Sequence, residues 1–270
     1  MSLSIGQLTY YNVFRKVFIF MKYLSDNISN GEIKLVYASL KYLLLRRSHR
    51  KDYIATTNIG RFYLRGRTID FISANSAYEY PVMNVVHELL THSDMFIDIG
   101  ANIGTYSVLC GKRGIRTFAF EPIKMNYDSL CKNIELNDLS EIVTANNFGL
   151  SSEVKDDQFN FFLQNPGASS LYNIEFNSKG EKKDVHLEVF DKLEVDELKK
   201  CKAPLVKIDV EGMEIEVLKG MEEFIKEKPK ISFILETKHS GEETIKEKFN
   251  KLGLFSFSRI DPFNLLVIKQ

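Results

Sequence analysis

Phe96-Ile-Asp98-Ile-Gly100-Ala-Asn102-Ile-Gly104 is the stretch on which the fold turns. An apolar run closes on glycines set around an asparagine, and residues 105–113 then carry apolar side chains at helical spacing. The pattern predicts a buried strand (95–99) turning sharply into a helix. Glycine lets the backbone approach another group there, and the first helical N–H groups face the turn. Outward from this unit the pattern repeats. Strands are expected at 116–120, 142–146, 205–209 and 231–236, with helices over 123–136 (opened by Pro122), 213–226 and 242–251. Strands separated by helices imply right-handed βαβ units and a parallel sheet covered on both faces. The last two strands, 255–260 and 265–269, are joined only by the Asp261-Pro-Phe263 turn and must pair antiparallel. Residues 151–183 read as polar and irregular, ahead of a short strand at 185–189.

Upstream, residues 53–72 read as a hairpin turning at Gly66, and a helix over 81–90 leads into the core. Residues 1–50 form a helical extension. In its first helix Phe14, Val17, Phe18, Met21 and Leu24 share one face, which is expected to pack on the rest of the chain or on a second copy rather than on a membrane. The organisation expected is thus 1–50, 51–93 and a main domain from 94 to 270. Over the whole chain of 270 residues, 36 Lys and Arg balance 36 Asp and Glu, so no global field selects nucleic acid. The extension departs from that balance, with eight basic residues against two acids. Cys110, Cys131 and Cys201 are an odd number without metal-ligand spacing, which points to neither a disulfide framework nor a zinc site and fits a reducing cytoplasm. The run 17–21 is too short to span a bilayer and lacks a cleavage site of signal-peptide type.

The chemistry is expected where strands end. Glu121 closes the strand after Asp98, where an acid accepts hydrogen bonds from both ribose hydroxyls. The glycine spacing is not G-x-G-x-x-G, since Thr105 stands where the last glycine would be. Asp98 beside the loop also suits a cationic ligand with an amino group, so S-adenosylmethionine is favoured over a dinucleotide. Asp209 and Glu211 at the end of the fourth strand, and Glu236 at the end of the fifth, are candidates to bind a hydroxyl, act as base or hold a divalent cation, although no metal is favoured. Asp209 is alternatively a helix N-cap and Glu211 a first-turn charge. His239 just beyond the fifth strand is the preferred proton acceptor. Lys207 is expected in an ion pair. Ser169 and Ser170 are candidates for a loop over the acceptor. His87, His92, His49 and His186 have weaker claims.

The blocks Phe-Ile-Asp98-Ile-Gly-Ala-Asn-Ile-Gly104, Ala-Phe-Glu121-Pro, Asn147-Phe-Gly-Leu-Ser151, Gly167-Ala-Ser-Ser-Leu171, Val-Lys207-Ile-Asp-Val-Glu-Gly212 with Glu216-Val-Leu-Lys-Gly220, and Leu235-Glu-Thr-Lys-His239 resemble the motif succession of FkbM-type methyltransferases. The resemblance covers about residues 94 to 240. It implies a Rossmann-like class I methyltransferase fold, mostly parallel and seven-stranded, and S-adenosylmethionine-dependent transfer to a hydroxyl of a sugar, glycan or natural product. Carried over by position, it puts Asp98, Gly100, Ala101, Asn102 and Gly104 along the methionine half, Glu121 on the ribose and Asn146 or Asn147 near adenine, with Asp209 also beside the cofactor. A nicotinamide-dependent oxidoreductase and a non-catalytic protein that docks to a membrane or partner through residues 1–50 are the competing readings.

Overall fold

The computed structural model describes residues 5–45, 47–161 and 181–270, with side chains in the first helix at Phe14 and from Val17 onward. Helices α1 (Ile5–Ser29) and α2 (Ile33–Leu45) precede an antiparallel hairpin of β1 (Tyr53–Thr56) and β2 (Arg61–Leu64), the single turn α3 (Asp70–Ser73) and α4 (Tyr80–Leu89). Then come β3 (Met95–Ile99), α5 (Thr105–Gly111), β4 (Thr117–Phe120), α6 (Lys124–Leu136) and β5 (Val143–Asn146). Three strands, β6 (Gly149–Leu150), β7 (Lys155–Phe161) and β8 (Glu181–Glu188), form a small separate sheet in the order β6-β8-β7. The second half runs α7 (Asp196–Lys200), β9 (Pro204–Ile208), α8 (Glu214–Gly220), α9 (Glu222–Glu227), β10 (Ser232–Glu236), α10 (Glu242–Asn250), β11 (Phe255–Arg259) and β12 (Asn264–Lys269).

The main sheet has seven strands in the order β11-β12-β10-β9-β3-β4-β5. Only β12 runs against its neighbours, so the sheet is the mostly parallel, Rossmann-like one expected, with its antiparallel terminal hairpin. Strand order reverses between β3 and β9, and the carboxyl ends of that pair open the crevice where open α/β sheets bind ligands. Every residue of β3 and of β9 is buried, as parallel strands covered on both faces require. Alternation divides them between two cores: Phe96 joins Val108, Leu130, Phe62, Phe71 and Val82 on one face, while Ile97 and Ile99 join Val206, Val217, Phe233 and Phe249 on the other. The hairpin, α3 and α4 thus pack in the same core as the sheet.

Three local expectations are corrected. Residues 151–183 are not wholly irregular: β7 pairs antiparallel with β8, and the polar look of Lys-Asp-Asp-Gln-Phe-Asn-Phe hides an alternation that buries Phe159 and Phe161 against Val185 and Leu187. The helix expected over 213–226 is two helices. A Cβ on Gly220 would collide with the carbonyl of Ser151, and Asp191 caps the second helix by accepting from the N–H groups of Glu223 and Phe224 at 2.9 Å. Pro122 precedes the N-terminus of α6 by two residues rather than opening it.

The extension packs the other way round. Phe14, Val17, Phe18 and Met21 are each more than half exposed, with Phe18 meeting the rest of the chain edge-on at the Tyr80 ring, so the apolar face is left largely open. The inward side carries Tyr23 and Asn27, both buried. The Tyr23 hydroxyl donates to the Phe71 carbonyl at 2.8 Å and accepts from Ser39, while Asn75 donates to Asn27. Buried polar groups demand partners, and the Tyr23 hydroxyl and the Asn27 side-chain oxygen find theirs on this face, although the Asn27 Nδ2 stays unpartnered. Among the described residues no helix is long and apolar enough to cross a membrane.

An ion pair ties the end of the hairpin to α3, and the same arginine reaches α6. Buried Arg65 in the turn after β2 donates to both carboxylate oxygens of Asp70, at 2.7 and 2.9 Å, and to Asn126 Oδ1 on α6 at 2.9 Å. Removing one partner of such a pair leaves an uncompensated buried charge. Arg65→Met should therefore cost about 3–5 kcal/mol in urea unfolding, and the double variant Arg65→Met, Asp70→Leu should recover a large part of it. Equal loss in the single and double variants would show that packing rather than charge carries the tie.

Candidate active site

At the end of β3 the backbone turns through left-handed conformations at Gly100 (φ 86°), Asn102 (φ 50°) and Gly104 (φ 86°). A Cβ on Gly100 would collide with the carbonyl oxygen of Asp209, so glycine is what allows the ends of β3 and β9 to meet. The N–H groups of Gly100 and Ala101 both donate to the Phe120 carbonyl, which leaves the turn facing Glu121. That carboxylate is buried and accepts from the N–H groups of Asn102 (2.8 Å) and Ile123 (2.9 Å) and, at 3.4 Å, from the Asn126 amide. Burial pushes its pKa up to about 7 despite these donors. The buried side-chain oxygen of Asn102 has no hydrogen-bond partner.

Two cavities flank the turn. One, of about 50 Å³, lies between Glu121, Pro122, Leu150, Phe159 and Leu187, under the small sheet. The other, of about 250 Å³, is lined by Asp98, Ala101, Glu79, Lys207, Glu236 and Tyr78. Both touch Gly100, Asn102, Asp209 and Glu211, so they adjoin across the turn.

The larger cavity is acidic around one buried cation. Lys207 Nζ contacts Asp209 at 2.7 Å and lies 4.8 Å from the centre of the Tyr106 ring. Burial alone would lower its pKa, but Asp209, Glu79 and Asp98 outweigh that and hold it above the ordinary lysine value. Asp98, paired in register with Lys207, accepts from Ser107 at 2.6 Å and is raised by burial. Glu79 accepts from the Tyr106 hydroxyl at 2.7 Å and is likewise raised by burial. Beyond Asp209, Glu211 is held at φ 48°, a conformation that costs a non-glycine residue about 1–2 kcal/mol. Its Oε2 lies 2.9 Å from His239 Nε2, within ion-pair distance but without hydrogen-bond alignment. Single ligand atoms of Glu211, Glu236 and His239 lie within 4.8 Å of one another, a spacing that would admit a divalent cation. Burial, then the charge of Asp209, raises Glu211 to about 7 and Glu236 to about 8, while burial and Lys238 lower His239.

The structure therefore brings Asp98, Gly100, Ala101, Asn102, Glu121, Asp209, Glu211 and Glu236 to the two cavities, with His239 against Glu211 and Gly104 opening α5. Asp209 is not an N-cap and Glu211 lies in the loop before α8, whose N-cap is Met213 without a side-chain bond. Asn146 and Asn147 line neither cavity: their amides donate to the carbonyls of Ala119, Glu121 and Pro122. Ser169 and Ser170 lie outside the described residues. His186 has two acidic neighbours, Asp156, brought opposite it by the pairing of β7 with β8, and Glu188, two residues along the same strand. Sequence reasoning missed Glu79 and Tyr78 ahead of α4, and Arg65, which supports Glu121 through Asn126. Nothing local marks them, since they reach the crevice through tertiary packing.

These carboxyls bear on stability. Glu236 binds its proton in the folded state up to about pH 8 but in the unfolded chain only to about its ordinary 4.5. The folded state thus holds more protons between these values, and stability falls as pH rises through them. Urea unfolding at pH 5.5 and 8 should show Glu236→Gln gaining on the parent at the higher pH. A parent–variant difference independent of pH would contradict the assignment.

A family model described as the methyltransferase FkbM domain matches residues 98–262. The chain is 33% identical over 163 residues to methyltransferase sdnD of Sordaria araneosa, covering 50% of this chain and 62% of that protein. It is 29% identical over 163 residues to hexuronic acid methyltransferase AglP of Haloferax volcanii, covering 60% and 63%. The matches thus span somewhat over half the length of these relatives. The crystal structure of methyltransferase FkbM from Methylobacillus flagellatus KT aligns with a TM-score of 0.44 at 18% identity, over 75% of this chain and 56% of that one. With its matched region taking in the glycine turn, Glu121, the Asp209–Glu211 loop and His239, the chain belongs to the methyltransferase FkbM domain family.

Proposed function

We propose that the protein is an S-adenosylmethionine-dependent methyltransferase acting on a hydroxyl of a sugar, glycan or natural-product acceptor. The observation that carries this reading is the adjacency of two unlike cavities across the Gly100–Asn102 turn, one beside a buried acid and the other acidic. The residues present fit the cofactor. Glu121 offers carboxylate oxygens to ribose hydroxyls, and Pro122, Leu150 and Phe159 offer apolar walls to a purine. Asp98 and the unpartnered oxygen of Asn102 offer acceptors to an ammonium. When bound, the sulfonium supplies an electrophilic methyl group and departs as a neutral thioether.

The chain's own work is positioning and proton removal. Asp209 and Glu236 face the larger cavity as acceptors for the acceptor's hydroxyls, and the 2.7 Å contact with Lys207 orients Asp209. His239, held neutral by its lowered pKa and adjacent to the Glu211 carboxylate, takes the hydroxyl proton as oxygen attacks the methyl carbon. The resemblance to a hexuronic acid methyltransferase favours a hydroxylated saccharide as acceptor.

Glu121→Ala leaves ribose hydroxyls unpaired, so calorimetry should show S-adenosylmethionine binding weakened by about 1.5–3 kcal/mol. Unchanged affinity, or tight binding of NAD by the parent, would overturn the cofactor assignment. His239→Ala should lose about 10²-fold or more in turnover while S-adenosylhomocysteine affinity holds. In the parent, turnover should rise with pH through a midpoint below the ordinary imidazole value of about 6.5, and that limb should vanish in the variant. A profile shared by parent and variant would show that His239 is not the base and would pass the role to Asp209 or leave positioning alone as the mechanism. Loss of activity with a chelator, restored by magnesium, would replace proton abstraction by His239 with a cation held at Glu211, Glu236 and His239.

A further inference from the structure

A third cavity, of about 280 Å³, lies between α1, α2 and α3. Its walls include Phe20, Tyr42, Leu43, Phe71, Ile72 and Tyr78, and no charged residue lines it. Two of the hydroxyls among its lining residues are engaged, since Ser39 donates to Tyr23 and Tyr23 donates to the Phe71 carbonyl. The groove therefore offers a ligand chiefly apolar surface. It also adjoins the site: Ile72 and Tyr78 line both this groove and the acidic cavity that holds Asp209 and Glu236 and form the boundary between them. A single molecule lying across these two residues would meet carboxylates at one end and only apolar side chains at the other.

We infer that the acceptor is an amphiphile, with a hydroxylated head in the acidic cavity and an alkyl or isoprenoid chain in the groove between α1 and α2. The inference rests on the methyltransferase reading for the identity of the head's site, and the groove supplies what that reading lacks, the chemistry of the rest of the acceptor. Two features support a chain as occupant. The volume is close to the lower end of the range of small-molecule pockets, about 300–1,000 Å³, enough for one chain and not for a folded partner. Leu43 stands at the rim, more than half exposed, so the groove opens to the outside and a chain longer than the cavity has an exit.

The test is calorimetric titration of the full chain with maltose and with hexyl, octyl and decyl maltosides below their micelle concentrations, with and without S-adenosylhomocysteine. One site per chain is expected, tightening by roughly fourfold per methylene until the groove is filled. Leu43→Glu puts a charge on the groove wall at an exposed helical position. It should abolish the chain-length dependence and leave S-adenosylhomocysteine binding unchanged. Val17→Ser with Met21→Ser, on the exposed face of α1 outside the groove, should leave the dependence intact. Equal affinity for maltose and decyl maltoside, or a dependence that survives Leu43→Glu, would overturn the inference. So would a dependence lost in the Val17, Met21 variant, because the chain would then lie on the outer face. Failure of S-adenosylhomocysteine to bind while the alkyl series still tightens would count against the cofactor assignment and for the groove.

Discussion

The crevice is organised by the ammonium of Lys207, a buried cation with acidic groups on three sides. Asp209 comes from the end of its own strand, Asp98 from the neighbouring strand at the same register, and Glu79 from the residue before α4. A charge removed from water in this way persists only with close partners. Satisfying it therefore holds β3, β9 and the start of α4 in one arrangement. The same grouping gathers carboxylates where the sheet's strand order reverses, at the point where the glycine turn brings the ends of β3 and β9 together. Structural and proposed functional demands meet there, since the acids gathered round the cation are those assigned above to the acceptor.

The segments outside the seven-stranded sheet complete the site. The small sheet roofs the cavity beside Glu121 through Phe159 and Leu187. The hairpin reaches the same acid indirectly, since Arg65 holds Asn126, which leans on Glu121, while its other nitrogens hold Asp70. Ile72 and Tyr78 then form the boundary between the acidic cavity and the apolar groove. The cavity beside Glu121 is lined entirely by residues of the main sheet region and the small sheet, whereas the acidic cavity also takes in residues 69–79 from the preceding segment.

The first two helices show how polar side chains can decide a face that apolar periodicity leaves open. An apolar stripe at three- and four-residue steps normally turns inward. Here Tyr23 and Asn27 turn inward, each with a buried hydrogen-bond partner, and Phe14, Val17, Phe18 and Met21 are left outside. Met221 is a similar case: helical spacing runs through it without interruption, but the close approach of Gly220 to Ser151 and the cap supplied by Asp191 divide the helix there.

Alternation of strands and helices, the glycine turn and the strand-end acids are local or periodic features, and they were sufficient by themselves to establish the parallel sheet, its antiparallel terminal pair and the neighbourhood of Asp98, Glu121, Asp209, Glu211 and Glu236. Each is imposed by backbone geometry over a few residues, or by the rule that strand ends face the crevice. The tertiary structure alone decided what depends on partners distant in sequence. Asn146 and Asn147 spend their amides on backbone carbonyls rather than on a cavity. The β7 strand is hidden by its polar residues until β8 pairs with it. Glu79 becomes part of the site because Lys207, on a strand well over a hundred residues later, needs its charge. The inward face of α1 was likewise decided by Phe71 and Asn75, residues that no periodicity within the helix can register. Periodicity reports which side chains avoid water, whereas the satisfaction of buried polar groups is settled only when the whole chain has supplied the partners.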